Sequence, residues 1–257
     1  MIDFHSHILP GIDDGSKHID MSMDMLKLSI SEGVEHICAT PHFIPEEHEI
    51  NKETYFEKLT ELKNSKVGEQ ISIVSGLEVY INPTVPELYE SGNIWCLNNK
   101  KYMLLELPMN QFPIYTEDVF YELRLQGVTP ILAHPERNLE IMKDEALLEN
   151  LINQGALAQL NSGSLRGRYG DKVQAFAKNL VNKNLIHVLG SDGHNLSVRK
   201  PKIKESFEIV EKLNAALYNS IITNEKKILQ GEDIEVLPIK DYKEKKSFSF
   251  FNIFKKK

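Results

Sequence analysis

Short apolar runs alternate with helical patterns along most of this chain. Residues 1–4, 35–40, 71–79, 102–107, 129–133, 156–160 and 186–190 are each of strand length, and most carry Ile, Val and Leu at consecutive positions. Consecutive apolar positions suit a parallel strand covered on both faces, whereas a half-exposed strand alternates. Between the runs, Met21, Met25 and Leu28 repeat at i, i+4 and i+7, as do Tyr55, Leu59 and Leu62, which is the stripe of an amphipathic helix. Thr116, Glu117 and Asp118 place a capping residue and two acids ahead of a helix carrying Val119, Leu123 and Gln126. Gly33, Gly127 and Gly155 fall where a helix should stop and a strand begin. Seven βα units result, with no linker rich in Pro, Gly or Ser. That order predicts a single α/β domain with a parallel sheet, either open or closed into a barrel. From Lys240 the composition changes: residues 240–257 hold seven Lys against one Asp and one Glu, interspersed with Phe248, Phe250, Phe251 and Phe254. This stretch reads as an appendage to a domain spanning 1–239. Its basic, Phe-rich character suits weak association with an anionic membrane surface.

The 257 residues, 41% hydrophobic and 26% charged, have the composition of a soluble globular protein. A net charge of -7 argues against a nucleic-acid partner, which would call for a basic face. Cys38 and Cys96 form neither a disulfide framework nor a CxxC metal pair, and suit core positions in a reducing cytoplasm. No apolar run reaches the roughly 18–20 residues of a membrane span, and no secretory signal fits the start.

Candidate chemistry sits just after each strand. His5 and His7, then Asp13-Asp14, follow the first, and His42 follows the second. Glu78 ends the third and Glu106 the fourth. The fifth runs into His134-Pro135-Glu136-Arg137, the sixth into Asn161-Ser162, and the seventh into Asp192-Gly193-His194. In a parallel barrel those ends converge on one face, where active sites are built. Imidazole and carboxylate without thiolate suit divalent first-row ions. Nine candidates (His5, His7, Asp14, His42, Glu78, Glu106, His134, Asp192 and His194) exceed the coordination of one ion, which implies two or three. Arg137 and Arg199 offer planar forks of donors that match a phosphate group. A lone His or carboxylate is more often a solvated or capping residue, and His18, His36, His48 and His187 keep that reading. Arg137 could instead pair with Glu136 or Glu140 on the surface. Arg166 and Arg168, in SGSLRGRYG, could gate the site or be solvated.

Taken in order, FHSHILPGIDDG, ATPH, GLEVYI, LLELP, ILAHPERN, LNSGSL and GSDGHN resemble the successive motifs of the PHP superfamily. More narrowly, they are similar to bacterial protein-tyrosine phosphatases of the CpsB/CapC/YwqE type, over residues 1 to about 229. The resemblance implies a TIM-like, distorted (β/α)7 barrel with three metals. It implies one ion on His5, His7, Glu78 and Asp192, a second on Glu78, Glu106 and His134, and a third on Asp14, His42 and His194. The choice of Asp14 over Asp13 rests on alignment alone. Arg137, Arg199 and Asp192 become the expected catalytic residues. Manganese is the expected ion, with iron or zinc able to occupy the same sites. The implied partner is a phosphotyrosine-bearing bacterial tyrosine kinase of capsule or exopolysaccharide synthesis, met in the cytoplasm at the inner face of the membrane. The implied reaction is in-line attack on phosphorus by metal-activated water. Histidinol phosphate or another small phosphomonoester is the alternative substrate, and a catalytically silent PHP binding module the alternative role. A cysteine nucleophile is not expected, because the residues six after Cys38 and Cys96 are Ile44 and Tyr102 rather than the Arg of a cysteine-phosphatase loop.

Overall fold

The computed structural model describes residues 1–241; the Phe-rich tail, with the membrane role expected of it, lies outside the described residues. Nine strands occur among the described residues: β1 (Ile2–Ser6), β2 (His36–Ala39), β3 (His42–Phe43), β4 (Ser72–Ser75), β5 (Glu78–Tyr80), β6 (Tyr102–Glu106), β7 (Thr129–Ala133), β8 (Leu157–Asn161) and β9 (Val188–Gly190). All pairings between them are parallel, in two ladders ordered β1-β2-β4 and β3-β5-β6-β7-β8-β9. The run expected as one strand at 71–79 is two, β4 and β5, interrupted at Gly76-Leu77. A side chain at Gly76 would lie 2.4 Å from Leu97 Cδ2, so the chain bends where only glycine fits. β2 and β3 are likewise separated by Thr40-Pro41. Past β9, Asp192 donates its amide to the His5 carbonyl, and His7 donates to that of Gly193. The curled sheet thus returns to its first strand, and counting β2/β3 and β4/β5 as interrupted single strands yields the expected seven.

Burial explains the consecutive apolar positions. Along β6, Met103 and Leu105 pack outward in the large core under the helices, while Tyr102 and Leu104 join a smaller inner cluster with Ile2, Phe4, Cys38, Val74, Ile131 and Val188. Ile228 and Leu229, from the helix Ala215–Gln230, also belong to that inner cluster. Following the same alternation, Glu106 on β6 and Gln159 and Asn161 on β8 fall on the inner face beyond the apolar layer. β1 achieves this differently. Between the pairs Asp3–Ile37 and Ser6–Ala39, the two residues Phe4 and His5 run against the single Cys38 of β2, a bulge of one residue. Ile2 and Phe4 can therefore line the apolar layer while His5 still reaches the polar one.

Most helix expectations agree with the structure. Gly33, Gly127 and Gly155 take φ of +87°, +81° and +95° after their helices, the left-handed stop that glycine adopts without strain. Tyr55, Leu59 and Leu62 are buried on Lys52–Lys63. On Ile19–Ser31 the buried stripe is Ser22, Met25, Leu26 and Ser29, which shares Met25 with the expected one and leaves Met21 and Leu28 half-buried. Thr116 is not the cap of its helix; Tyr115 holds that position without a side-chain bond, and Glu117 and Asp118 supply the acidic first turn.

Candidate metal centre

The parallel strand ends, with the loops that follow β1 and β9, bring all nine candidate donors to one end of the curled sheet. Their donor atoms lie within 4.8 Å of one another in four overlapping sets: His7, Asp14, His42, His194; His5, Glu78, His134; His5, His7, Asp192; and His42, Glu78, Glu106. Glu78 is the hub. Its Oε2 lies 3.1 Å from His5 Nε2, 3.3 Å from His7 Nε2 and 2.9 Å from His42 Nδ1, and its Oε1 is 2.9 Å from His134 Nε2. Arg137 and Arg199 also arrive: Arg137 Nη1 donates to Asp192 Oδ2 at 2.9 Å, and Arg199 Nη2 donates to Asp192 Oδ1. Glu136, a surface partner for Arg137 in one reading of the sequence, is instead fully buried, accepting from the Asn161 amide and the Ser164 hydroxyl.

The imidazoles are aimed by neighbours that strand-end reasoning passed over. His7 Nδ1 donates to Asp13 Oδ2 at 2.6 Å, and His5 Nδ1 meets Gln159 Oε1 at 3.0 Å. Both leave Nε2 as the free nitrogen, and these two atoms face each other at 3.0 Å beside the Glu78 and Asp192 carboxylates. His194 Nδ1 lies 3.0 Å from the Asp192 carbonyl, so its Nε2 points to Asp14 Oδ1, 3.2 Å away. Such outer partners choose the tautomer that presents a lone pair to a metal. The pair Asp13-Asp14 thereby divides: Asp13 is turned inward to orient His7 and to accept the His42 and Gly15 amides, while Asp14 faces the donor cluster. Gln159 and Asn161 could have been found from their i, i+2 spacing on a strand whose inner face ends at the site. Asn161 donates to Asp192 Oδ2 at 2.8 Å.

Electrostatics match a site built for cations. Burial opposes ionisation of Glu78, yet the surrounding imidazoles hold its carboxyl well below the usual range. Glu106 is pushed up to about 8 by burial and by the charge of Glu78. Burial lowers His134 to about 4, favouring neutral imidazole. His5 and His7 are raised despite burial, chiefly by Glu78 and Asp192 for the first and by Asp13 for the second. Glu78 Oε2, His42 Nδ1 and His194 Nε2 are buried and have no aligned hydrogen-bond partner among the described residues. Opposed lone pairs and unpartnered carboxylate oxygens in a buried cluster are a donor set that divalent ions fit. The backbone is strained at the same place: His134 and Asp192, neither a glycine, adopt φ of 34° and 52° just past β7 and β9.

The residues set aside by sequence reasoning stay outside. His18 caps Ile19–Ser31 through Nδ1, and His187 is buried with its Nδ1 accepting the Ala158 amide. Cys38 and Cys96 are buried core residues; burial pushes the Cys38 thiol far up and that of Cys96 up to about 12, so neither supplies a thiolate near neutral pH. Arg166 bonds back to the Ser162 carbonyl. No helix among the described residues is long and apolar enough to cross a membrane.

Residues 1–230 match the family described as "Capsular polysaccharide synthesis, CpsB/CapC". The CapC protein of Staphylococcus aureus is 37% identical over 256 residues, covering 96% of this chain and 99% of that one. The tyrosine-protein phosphatase YwqE of Bacillus subtilis is 35% identical over 254 residues, covering 98% and 100%. A solved structure described among those of YwqE from B. subtilis and CpsB from Streptococcus pneumoniae, "unique metal-dependent tyrosine phosphatases", superposes with a TM-score of 0.88. It is 34% identical and is covered over its whole length by 95% of this chain.

Proposed function

The chain belongs to the CpsB/CapC family, and from that premise we propose that it is a metal-dependent phosphomonoesterase hydrolysing phosphotyrosine. Its substrate would be a bacterial tyrosine kinase of capsule or exopolysaccharide synthesis, met in the cytoplasm. The observation carrying this reading is the meeting of nine nitrogen and oxygen donors with two arginines, where no cysteine can serve as nucleophile. We assign His5, His7, Glu78 and Asp192 to one ion, Glu78, Glu106 and His134 to a second, and Asp14, His42 and His194 to a third, with manganese the expected metal. His7 also reaches the third set and Glu106 groups with His42, so the sets share residues. Bound there, such ions would lower the pKa of a water and neutralise charge on phosphoryl oxygens.

The protein's own groups do the remainder. Gln159 and Asp13 fix the rings of His5 and His7, and Asn161 fixes Asp192. Arg137 and Arg199 are partly exposed, their side chains 18% and 28% accessible, while Asp192 beneath them is fully buried. Each therefore has donors free for the oxygens of an incoming phosphoryl group, whose charge grows toward the transition state. A phenol leaving group, with a pKa of about 10, departs with less protonation than an alkoxide needs.

The test is turnover by metal-replete protein against phosphotyrosine peptides, histidinol phosphate and a nucleotide diester, before and after exhaustive chelation. Preference for the peptides, abolished by chelation and restored by Mn2+, is expected. Preference for histidinol phosphate overturns the substrate, activity surviving chelation overturns the metal, and no turnover of any of them points to a silent binding module.

A further inference from the structure

Tyr169 lies in the turn between the helices Ser162–Leu165 and Asp171–Asn182, half-buried, in the SGSLRGRYG segment. Its ring faces Arg137, whose Cζ stands 4.4 Å from the ring centroid. The phenol oxygen is 3.4 Å from Asn161 Nδ2, the same nitrogen that donates to Asp192. The turn is seated on purpose-shaped ground. A side chain at Gly163 would come within 2.9 Å of Arg168 Cδ and 3.2 Å of the Tyr169 ring, so this glycine lets the ring pack down. Glu136, directly before Arg137 in sequence, accepts from the Asn161 amide and the Ser164 hydroxyl at the start of the same segment, linking the two loops.

A guanidinium held by one hydrogen bond can pivot about it. Arg137 has such a bond, from Nη1 to Asp192, and its guanidinium donates no other hydrogen bond among the described residues. The Tyr169 face supplies the second constraint, since a cation over an aromatic face is attracted by the ring quadrupole, most strongly where water is excluded. We propose that Tyr169 is a positioning residue: its ring fixes the plane of the Arg137 guanidinium so that its donors meet the phosphoryl oxygens. This rests on the phosphatase reading and deepens it. The ring, rather than the hydroxyl, carries the effect, because the Asn161 contact is long and Asn161 is already engaged with Asp192.

The test is a double-mutant cycle on the metal-loaded protein, read as turnover of p-nitrophenyl phosphate and, independently, as the affinity for inorganic phosphate by calorimetry. Tyr169→Ala is expected to lose about tenfold in kcat with KM within about twofold, and to weaken phosphate, while metal content stays at the wild-type level. Tyr169→Phe should restore wild-type behaviour in both assays. In an Arg137→Ala background, Tyr169→Ala should change neither reading by more than about twofold, because its effect passes through Arg137. Full additivity of the two substitutions, or Tyr169→Phe as impaired as Tyr169→Ala, overturns the proposal. Wild-type protein that turns over p-nitrophenyl phosphate but no phosphotyrosine peptide overturns the substrate assignment and leaves the cycle readable. Should it turn over neither, the phosphate-affinity cycle still decides for or against Tyr169.

Discussion

Asp13 is the sharpest place to test how this site is built. Asp13→Ala removes three accepted hydrogen bonds at once: from His7 Nδ1 at 2.6 Å, from the His42 amide at 3.0 Å and from the Gly15 amide at 2.9 Å. Two of these aim candidate ligands. Loss of an outer-shell partner typically weakens a metal site about 10- to 100-fold, or about 1.4–2.7 kcal/mol. The His7 ring would also be free to exchange tautomers and turn, so the weakening should fall near the upper end of that range. Stability should fall as well, because the abandoned amide and imidazole donors are largely shielded from water. At about 1–3 kcal/mol in total, with about 2–4 °C per kcal/mol for a domain of this size, the melting temperature should drop by several degrees. The assay is Mn2+ titration of chelated protein with a competing metal buffer, alongside thermal melting of wild type, Asp13→Ala and Asp14→Ala. Asp14→Ala should lose metal affinity at least as severely with little change in melting, since the Asp14 side chain is 59% exposed and contributes a donor rather than a scaffold. Wild-type Mn2+ affinity in Asp13→Ala would refute the orienting role. Wild-type affinity in Asp14→Ala would exchange the two residues.

Arg137→Ala should retain fold and metal while losing on the order of a hundredfold in kcat, and an unchanged rate would reduce the Asp192 contact to a structural ion pair. Gly190→Ala places a methyl group 2.5 Å from His5 Cβ and 2.7 Å from Gln159 Nε2, so it should cost about 1–3 kcal/mol by chemical denaturation and loosen metal at His5; wild-type values for both would contradict the packing. Glu225 is 4% exposed and pushed up to about 7, first by burial and further by Glu35 and Asp3, against the Ile2 amide and the N-terminus, which draw it down. The unfolded carboxyl, at roughly 4.3, ionises first, so the folded state binds the extra proton and stability should decline as pH rises from about 4 through 7, by up to about 3 kcal/mol. Glu225→Gln should remove the Glu225 share of that slope, leaving contributions of like sign from Asp3, Glu136 and Glu106, which burial raises to about 6, 7 and 8; a slope equal to wild type would show that Glu225 titrates normally.

The strand count, the parallel order and the gathering of the nine candidate donors were legible because each depends on residues near one another in sequence. Consecutive apolar positions announce a strand buried on both faces, and in a parallel sheet every strand end points the same way. His5, Glu78 and Asp192 could thus be gathered at one rim without knowing a single distance. Three kinds of feature were not legible. The break at Gly76-Leu77 and the bulge in β1 depend on how separate segments pack, Leu97 against Gly76 and β2 against β1, a constraint that no one segment carries. The division of labour between Asp13 and Asp14 depends on which side of the turn faces His7, and adjacent identical residues carry no local signal of that. The supports of the site couple positions far apart in the chain: Gln159 lies 154 residues from His5, and Arg137 lies 55 from Asp192. Glu136 shows the reason most directly. Beside Arg137 in sequence it invites a surface ion pair, but the left-handed backbone at His134 turns the following residues so that Glu136 is buried under Asn161 and Arg137 reaches Asp192. Periodicity reports which residues a chain needs to bury or gather, whereas the partner of each buried polar atom is decided only when distant segments are packed together, because its hydrogen bonds must be satisfied by whatever lies there.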